Sequence, residues 1–235
     1  MKIIEPSQTP LTEDRYDSQF VLTLDSKGSG ADVPKNLVVA MQPADFHRIK
    51  DRQKNILLYA WSPSAQLRQV IEESRLALLP TCSLTLPGEE IGQAAARTAD
   101  PLARWMLEEL VDVLAGYATL VPEKRVTIAF CKTREQSCPV FHIDRLSVRL
   151  LCTFKGPGTE WLDDAQVQRR CLGRGDNRKI AGPEAIVYST QPFQVCLLKG
   201  EHGSTQKDCG VVHRSPRVPS DSEGRWYLRV DTGWS

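Results

Sequence analysis

Between residues 46 and 121 the apolar positions alternate between two spacings. A short helix is plausible from Phe46, and NILLYAW at residues 55–61 is an apolar run of strand length. Ser62 and Pro63 then open SAQLRQVIEESRLALL, where Leu67, Val70, Ile71, Ala77 and Leu78 fall at helical spacing. Ser62 is the expected N-cap and Pro63 the first helical residue, with the helix running to about Leu79. The same grammar recurs at Asp100-Pro101, opening a single helix through Leu102, Trp105, Met106, Leu110, Val113 and Tyr117 to residues 116–120. Past Pro122 the period changes to two. RVTIAFC, PVFHID, RLSVRLLCTF, EAIVYS, FQVCLLKG, GVVHRS and GRWYLRVD read as strands, separated by Gly-, Pro-, Asp- and Ser-rich turns. No long helical pattern interrupts them, so an antiparallel sandwich or barrel is expected in place of parallel βαβ units.

Residues 1–45 read as a loose arm, with prolines, a GSG run and one possible edge strand in QFVLTL at residues 19–24. Residues 46–235 read as one α+β domain, helical over 46–121 and all β over 122–235. The basic, Gly-rich stretch QRRCLGRGDNRK at residues 168–179 reads as a solvated loop or as a lid over a substrate.

Composition narrows the function classes. A chain of 235 residues buries roughly 70% of its extended surface on folding, so it needs no staples. Thirty basic and 29 acidic residues give a net charge of +1, which offers no overall field for nucleic acid. No apolar run approaches the roughly 18 residues that span a bilayer, and the N-terminus lacks the apolar region of a signal peptide. A cytoplasmic protein is expected, with no membrane and no nucleic-acid partner. Seven cysteines without a CxxC pair read as reduced thiols, mostly buried.

The candidate chemistry centres on FHID. In a strand, residues i and i+2 share a face about 6.6 Å apart, so His142 and Asp144 project together. His213 lies in a second apolar strand that antiparallel pairing could bring alongside. Two imidazoles and one carboxylate on one side of a metal leave about three positions open, the donor set of non-haem Fe(II) oxygenases. HxD tripeptides also arise by chance, and a second arrangement uses the same histidines: Cys138 with His142 and Cys209 with His213 form twin CxxxH pairs suited to a structural zinc. Four residues of extended strand span about 13 Å, which disfavours that zinc site. His47 and His202 read as surface or structural residues. No GxSxG, GxxxxGK[ST], HExxH or GxGxxG motif occurs.

The order HxD, hairpin, distal histidine and, twelve residues on, a basic residue resembles the double-stranded β-helix (jelly-roll, cupin-like) of 2-oxoglutarate- and Fe(II)-dependent oxygenases. That resemblance implies N-terminal helices packed on an antiparallel β-helix, Fe(II) and 2-oxoglutarate as cofactors, and Arg225 as the anchor of the far 2-oxoglutarate carboxylate, with Arg229 as the alternative. In GRWYLRVD, alternation puts Arg225, Tyr227, Arg229 and Asp231 on one face and Trp226, Leu228 and Val230 on the other. One face is expected to meet the core, leaving Arg225 either turned into the barrel or solvated.

A closer resemblance, carried by NILLYAW, CPVFHIDRLSVRLLCTFKGPGTEWL, VCLLKGE and GVVHRSP, is to a bacterial family known as domain of unknown function eighteen-twenty-six. It implies a cytosolic protein encoded near zinc-starvation genes and metallochaperone-type GTPases, with no established reaction. Three readings follow. The first is an Fe(II)/2-oxoglutarate oxygenase acting on a small-molecule or protein substrate. The second is a non-catalytic Zn(II)-binding accessory protein of zinc homeostasis, and the third a catalytically silent cupin-like fold that binds a protein partner, its pocket filled by bulky side chains.

Overall fold

The structure is a computed structural model that describes residues 19–21, 33–121, 125–201 and 208–232. It has mixed α+β architecture. The strands and helices are β1 (Gln19–Val21), β2 (Leu37–Ala40), β3 (Ile56–Ala60), α1 (Ala65–Glu73), β4 (Cys82–Pro87), α2 (Pro101–Glu109), α3 (Val111–Ala118) and β5 (Arg125–Thr133). They continue with β6 (Val148–Lys155), β7 (Glu160–Leu162), α4 (Asn177–Ala181), β8 (Val187–Ser189), β9 (Gln194–Lys199), β10 (His213–Arg214) and β11 (Arg225–Thr232). A seven-stranded sheet has the order β2-β3-β9-β6-β11-β5-β4, and a four-stranded sheet the order β1-β8-β7-β10.

Alternation in the large sheet sends its side chains into two cores. Outward, Leu150 and Phe154 of β6, Val195 of β9 and Trp226, Leu228 and Val230 of β11 pack with Leu67 of α1, Met106 of α2 and Tyr117 of α3. Inward, Ile56, Leu58, Leu151, Cys196 and Leu198 meet Trp161 and Tyr188 of the small sheet. The small sheet's far side is closed by Phe141, Leu162, Val187, Val212 and Ile180 of α4. The protein is therefore layered as helices, large sheet, small sheet and an outer cap.

Several sequence expectations need correction. The helix expected over residues 63–79 is capped by Ser64, whose side chain accepts from Leu67 N–H, and ends at Glu73. Leu79 precedes Pro80 and is extended, because the proline ring disfavours helix at the residue before it, so LAL forms only a 3-10 turn. The helix opened by Asp100-Pro101 breaks at Leu110 (φ −92°, ψ 6°) into α2 and α3. Leu37–Ala40 and Cys82–Pro87 form strands that were not expected, and β1 with β8 and β2 with β3 pair in parallel within an otherwise antiparallel arrangement. Of the expected arm strand, residues 22–24 lie outside the described residues, as does the GSG run.

PVFHID is not a strand. It makes a single bridge, in which the backbones of His142 and His213 exchange both hydrogen bonds at 2.9 and 3.0 Å. Pro139 has no N–H to give a ladder, and the Phe141 N–H is taken by the Asn177 side chain at 2.8 Å. The segment still lies along β10, extending the small sheet by one position.

Gly200, just past β9, lets this segment approach. A Cβ there would lie 2.1 Å from the Leu146 carbonyl oxygen and 2.6 Å from that of Asp144. Gly200→Ala should therefore destabilise the protein by about 1–3 kcal/mol through forced backbone displacement, measured as a lowered urea midpoint at unchanged m-value. An unchanged midpoint would show that this approach can relax.

Candidate metal centre

The bridge to β10 places His142 beside His213, with ring centroids 4.6 Å apart. Asp144, two residues on, turns the same way. Its Oδ1 lies 3.7 Å from His142 Nε2 and its Oδ2 3.4 Å from His213 Nε2. One ligand atom from each of the three residues falls within 4.8 Å of the others. Cys138 and Cys209 are not part of this cluster, so the twin CxxxH arrangement does not form. His47 is a surface residue bonded to the Ala44 carbonyl, and His202 lies outside the described residues.

Hydrogen bonds fix the state of the imidazoles. His142 Nδ1 lies 2.9 Å from Val140 O, and His213 Nδ1 lies 3.2 Å from Val211 O. A carbonyl only accepts, so each Nδ1 carries a proton and donates it. In the neutral rings both Nε2 lone pairs are bare and face the carboxylate, the orientation seen in metal-binding histidines. Burial, and next the neighbouring His213, hold His142 below its ordinary value.

Asp144 is held from the other side by Arg149, a residue that the motif reading passed over. Arg149 Nη1 donates to Asp144 Oδ1 at 2.8 Å, while its Nε and Nη2 grip Asp231 Oδ1 and Oδ2 at 2.6 and 3.1 Å. Arg229 Nε reaches Asp231 at 3.1 Å. Asp144 Oδ2 is as close to Arg149 Nη1 as Oδ1 is, but it lies outside hydrogen-bonding geometry and is a buried acceptor without a partner. One carboxylate oxygen is therefore hydrogen-bonded, and the other is not. The sequence did carry a signal for Arg149: it stands in phase with Leu151 and Thr153 on the inward face of β6.

Arg225 is 4% exposed. Its Nη2 donates to Thr153 Oγ1 and Thr159 Oγ1, both at 2.9 Å, and its guanidinium sits 4.3 Å from the centroid of the Tyr227 ring. Among the described residues no carboxylate lies within 4 Å of it; the neighbouring Glu160 pairs with Arg214. Burial lowers its pKa. The expectation that only one face of β11 meets a core needs correction: Trp226, Leu228 and Val230 face the helices while Arg225 and Tyr227 face the space between the sheets. Arg229, also on the inward face, is 40% exposed at the rim and is paired with Asp231.

Burial alone would raise the Asp144 pKa, but the adjacent His213, with Arg149 and His142, brings it down to about 2. A carboxyl that titrates near 3.9 in the unfolded chain and near 2 in the fold contributes stability above pH ~4, which is lost as pH falls through ~2. Metal-free protein should lose roughly 2 kcal/mol from this group over that window, and Asp144→Asn should lack that component. Urea unfolding of both proteins across this range is the measurement; parallel curves would contradict the assigned electrostatics.

None of the curated proteins is similar in sequence to this chain. Among solved structures it is similar to the dioxygenase for auxin oxidation from rice, at 12% identity and TM-score 0.47, covering 80% of this chain and 77% of that one. It is similar to a bsmA homolog from Methylobium petroleophilum PM1, at 12% identity and TM-score 0.46, covering 83% and 94%. HygX from Streptomyces hygroscopicus, solved with iron bound, is similar at 12% identity and TM-score 0.40, covering 75% and 82%. By its match over residues 40–231, the chain belongs to the family described as "Protein of unknown function (DUF1826)".

Proposed function

We propose that this chain is a non-haem Fe(II)- and 2-oxoglutarate-dependent oxygenase-like protein. His142, Asp144 and His213 hold the metal, and Arg225 holds the far carboxylate of 2-oxoglutarate. The observation that carries this reading is a buried guanidinium without a carboxylate partner, facing the same inter-sheet space as an open His-Asp-His cluster. An arginine in such a place is costly unless an anion meets it, and its planar fork suits a carboxylate.

The winding supports the same reading. The segments β5, 140–144, β6, β7, β8, β9, β10 and β11 fall in the large, small, large, small, small, large, small and large sheets. This is the path of a double-stranded β-helix, with the helical layer packed on its large sheet.

The residues fit the cation. Two bare Nε2 atoms and one unpartnered carboxylate oxygen converge, and no fourth His, Cys, Asp or Glu joins them among the described residues. A structural zinc would want a closed fourth ligand, whereas oxygenase chemistry wants open positions. Bound Fe(II) would supply the redox chemistry that couples oxidative decarboxylation of 2-oxoglutarate to oxidation of a second substrate. The protein's part is to orient the ligands through Val140, Val211 and Arg149, and to fix the diacid at its far end through Arg225, Thr153 and Thr159. Arg229 is the lesser candidate for that anchor because Asp231 already satisfies its charge.

The test is anaerobic loading with Fe(II), a 2-oxoglutarate binding isotherm, and succinate release on admitting dioxygen. Asp144→Ala should abolish metal retention while the protein stays folded. Arg225→Ala should keep its metal and weaken 2-oxoglutarate binding by about 1.5–3 kcal/mol for each charge-assisted bond lost. Equal 2-oxoglutarate affinity in Arg225→Ala and wild type, or no affinity in the wild type, would overturn the assignment.

A further inference from the structure

One polar group between the sheets has no role in the scheme above. Trp161 is 0% exposed, and its indole Nε1 is a buried donor without a hydrogen-bond partner. The contrast with Trp226 is direct: that ring is equally buried, but its Nε1 donates to the Pro80 carbonyl at 2.9 Å. An indole N–H can only donate, and native folds rarely leave such a donor buried and idle unless something else fills the site.

The position of Trp161 suggests what fills it. Thr159 and Trp161 are two residues apart at the start of β7 and so project to one face. Thr159 holds Arg225 by a 2.9 Å bond, and Trp161 is the cross-strand partner of His213 in the β10–β7 register. Trp161 therefore lies between the guanidinium at one end of the inter-sheet space and the metal ligands at the other. Its ring is pinned by stacking on Tyr188, with centroids 4.6 Å apart and planes at 23°. A ligand that joined Arg225 to the metal ligands would run along this face of β7.

We propose that the Trp161 Nε1–H is a binding group for an oxygen of the bound oxo-diacid, and that it selects ligands carrying an acceptor between Arg225 and the metal. This rests on the oxygenase reading and adds to it a residue outside the HxD, distal histidine and arginine pattern.

The test uses 2-oxoglutarate as the probe, on protein loaded with diamagnetic Zn(II) for the spectra and with Mn(II) for calorimetry, neither of which supports turnover. In 15N-labelled wild-type protein the Trp161 indole signal should move downfield on saturation, while that of Trp226 stays in place. By calorimetry, Trp161→Phe should bind 2-oxoglutarate about 10- to 100-fold more weakly and Mn(II) with unchanged affinity. A packing role alone would change affinity without moving the indole signal. An unmoved signal at saturation, or a Trp161→Phe protein that binds 2-oxoglutarate like wild type, would overturn the inference. Mn(II) bound without any 2-oxoglutarate affinity in the wild type would instead remove the oxygenase reading, and the inference with it.

Discussion

The arrangement depends on one strand being buried on both faces for different reasons. Alternation sends Trp226, Leu228 and Val230 of β11 into the helix-packed core and Arg225, Tyr227, Arg229 and Asp231 toward the small sheet. Strands enclosed on both sides normally read as continuous apolar runs. Here the second face carries charged residues, which the proposed function reads as a ligand-binding face. The apolar face fixes the strand's register against β5 and β6, and register in turn fixes which charge stands at which depth. A slip of one residue would place Trp226 in the ligand space and Arg225 against the helices.

Within that space the charges are distributed unevenly. Asp144, Arg149, Asp231 and Arg229 form an alternating chain in which each charge meets an opposite one, running from the metal ligands to the exposed rim. At the other end of β11, Arg225 has two threonine hydroxyls and an aromatic face but no carboxylate. Under the proposed function the two ends would take opposite partners, a cation between the carboxylate and the two imidazoles and an anion at the guanidinium, and a metal-chelating ligand that ends in a carboxylate would meet both.

The sequence made part of this legible. The His142–Asp144 pair was readable because the two side chains turn the same way even though His142 alone of this segment forms a β-bridge. Arg225 and the β11 alternation were readable for the same local reason. β2 was missed because LVVA is short and lacks alternation; CSLTLP does alternate but is short and lies between two helix signals, and both strands pair with neighbours distant in sequence. The end of α1 was misplaced because LALL continues an apolar helical spacing that Pro80 and tertiary contacts override; Leu76 N–H, for example, is held by the Glu223 carboxylate. Arg149 escaped notice because its significance lies in partners that only the assembled sheets reveal.

The three residues of the candidate metal site are also held by different means. Each histidine is oriented by a hydrogen bond to the carbonyl two residues before it, so FHID and GVVHRS carry their own ring orientation. Asp144 has no such local support. Its backbone is fixed by the Glu201 N–H and by the close approach of Gly200, and its carboxylate by Arg149, which Asp231 of β11 holds in turn. The imidazoles are therefore preset by local sequence, while the carboxylate is placed by the meeting of β6, β9 and β11. Disturbance of the large sheet should reach the metal through Asp144, and disturbance of the small sheet through the His142–His213 bridge. The cluster can assume its full geometry only when both sheets are correctly docked, which makes the site a consequence of the completed fold.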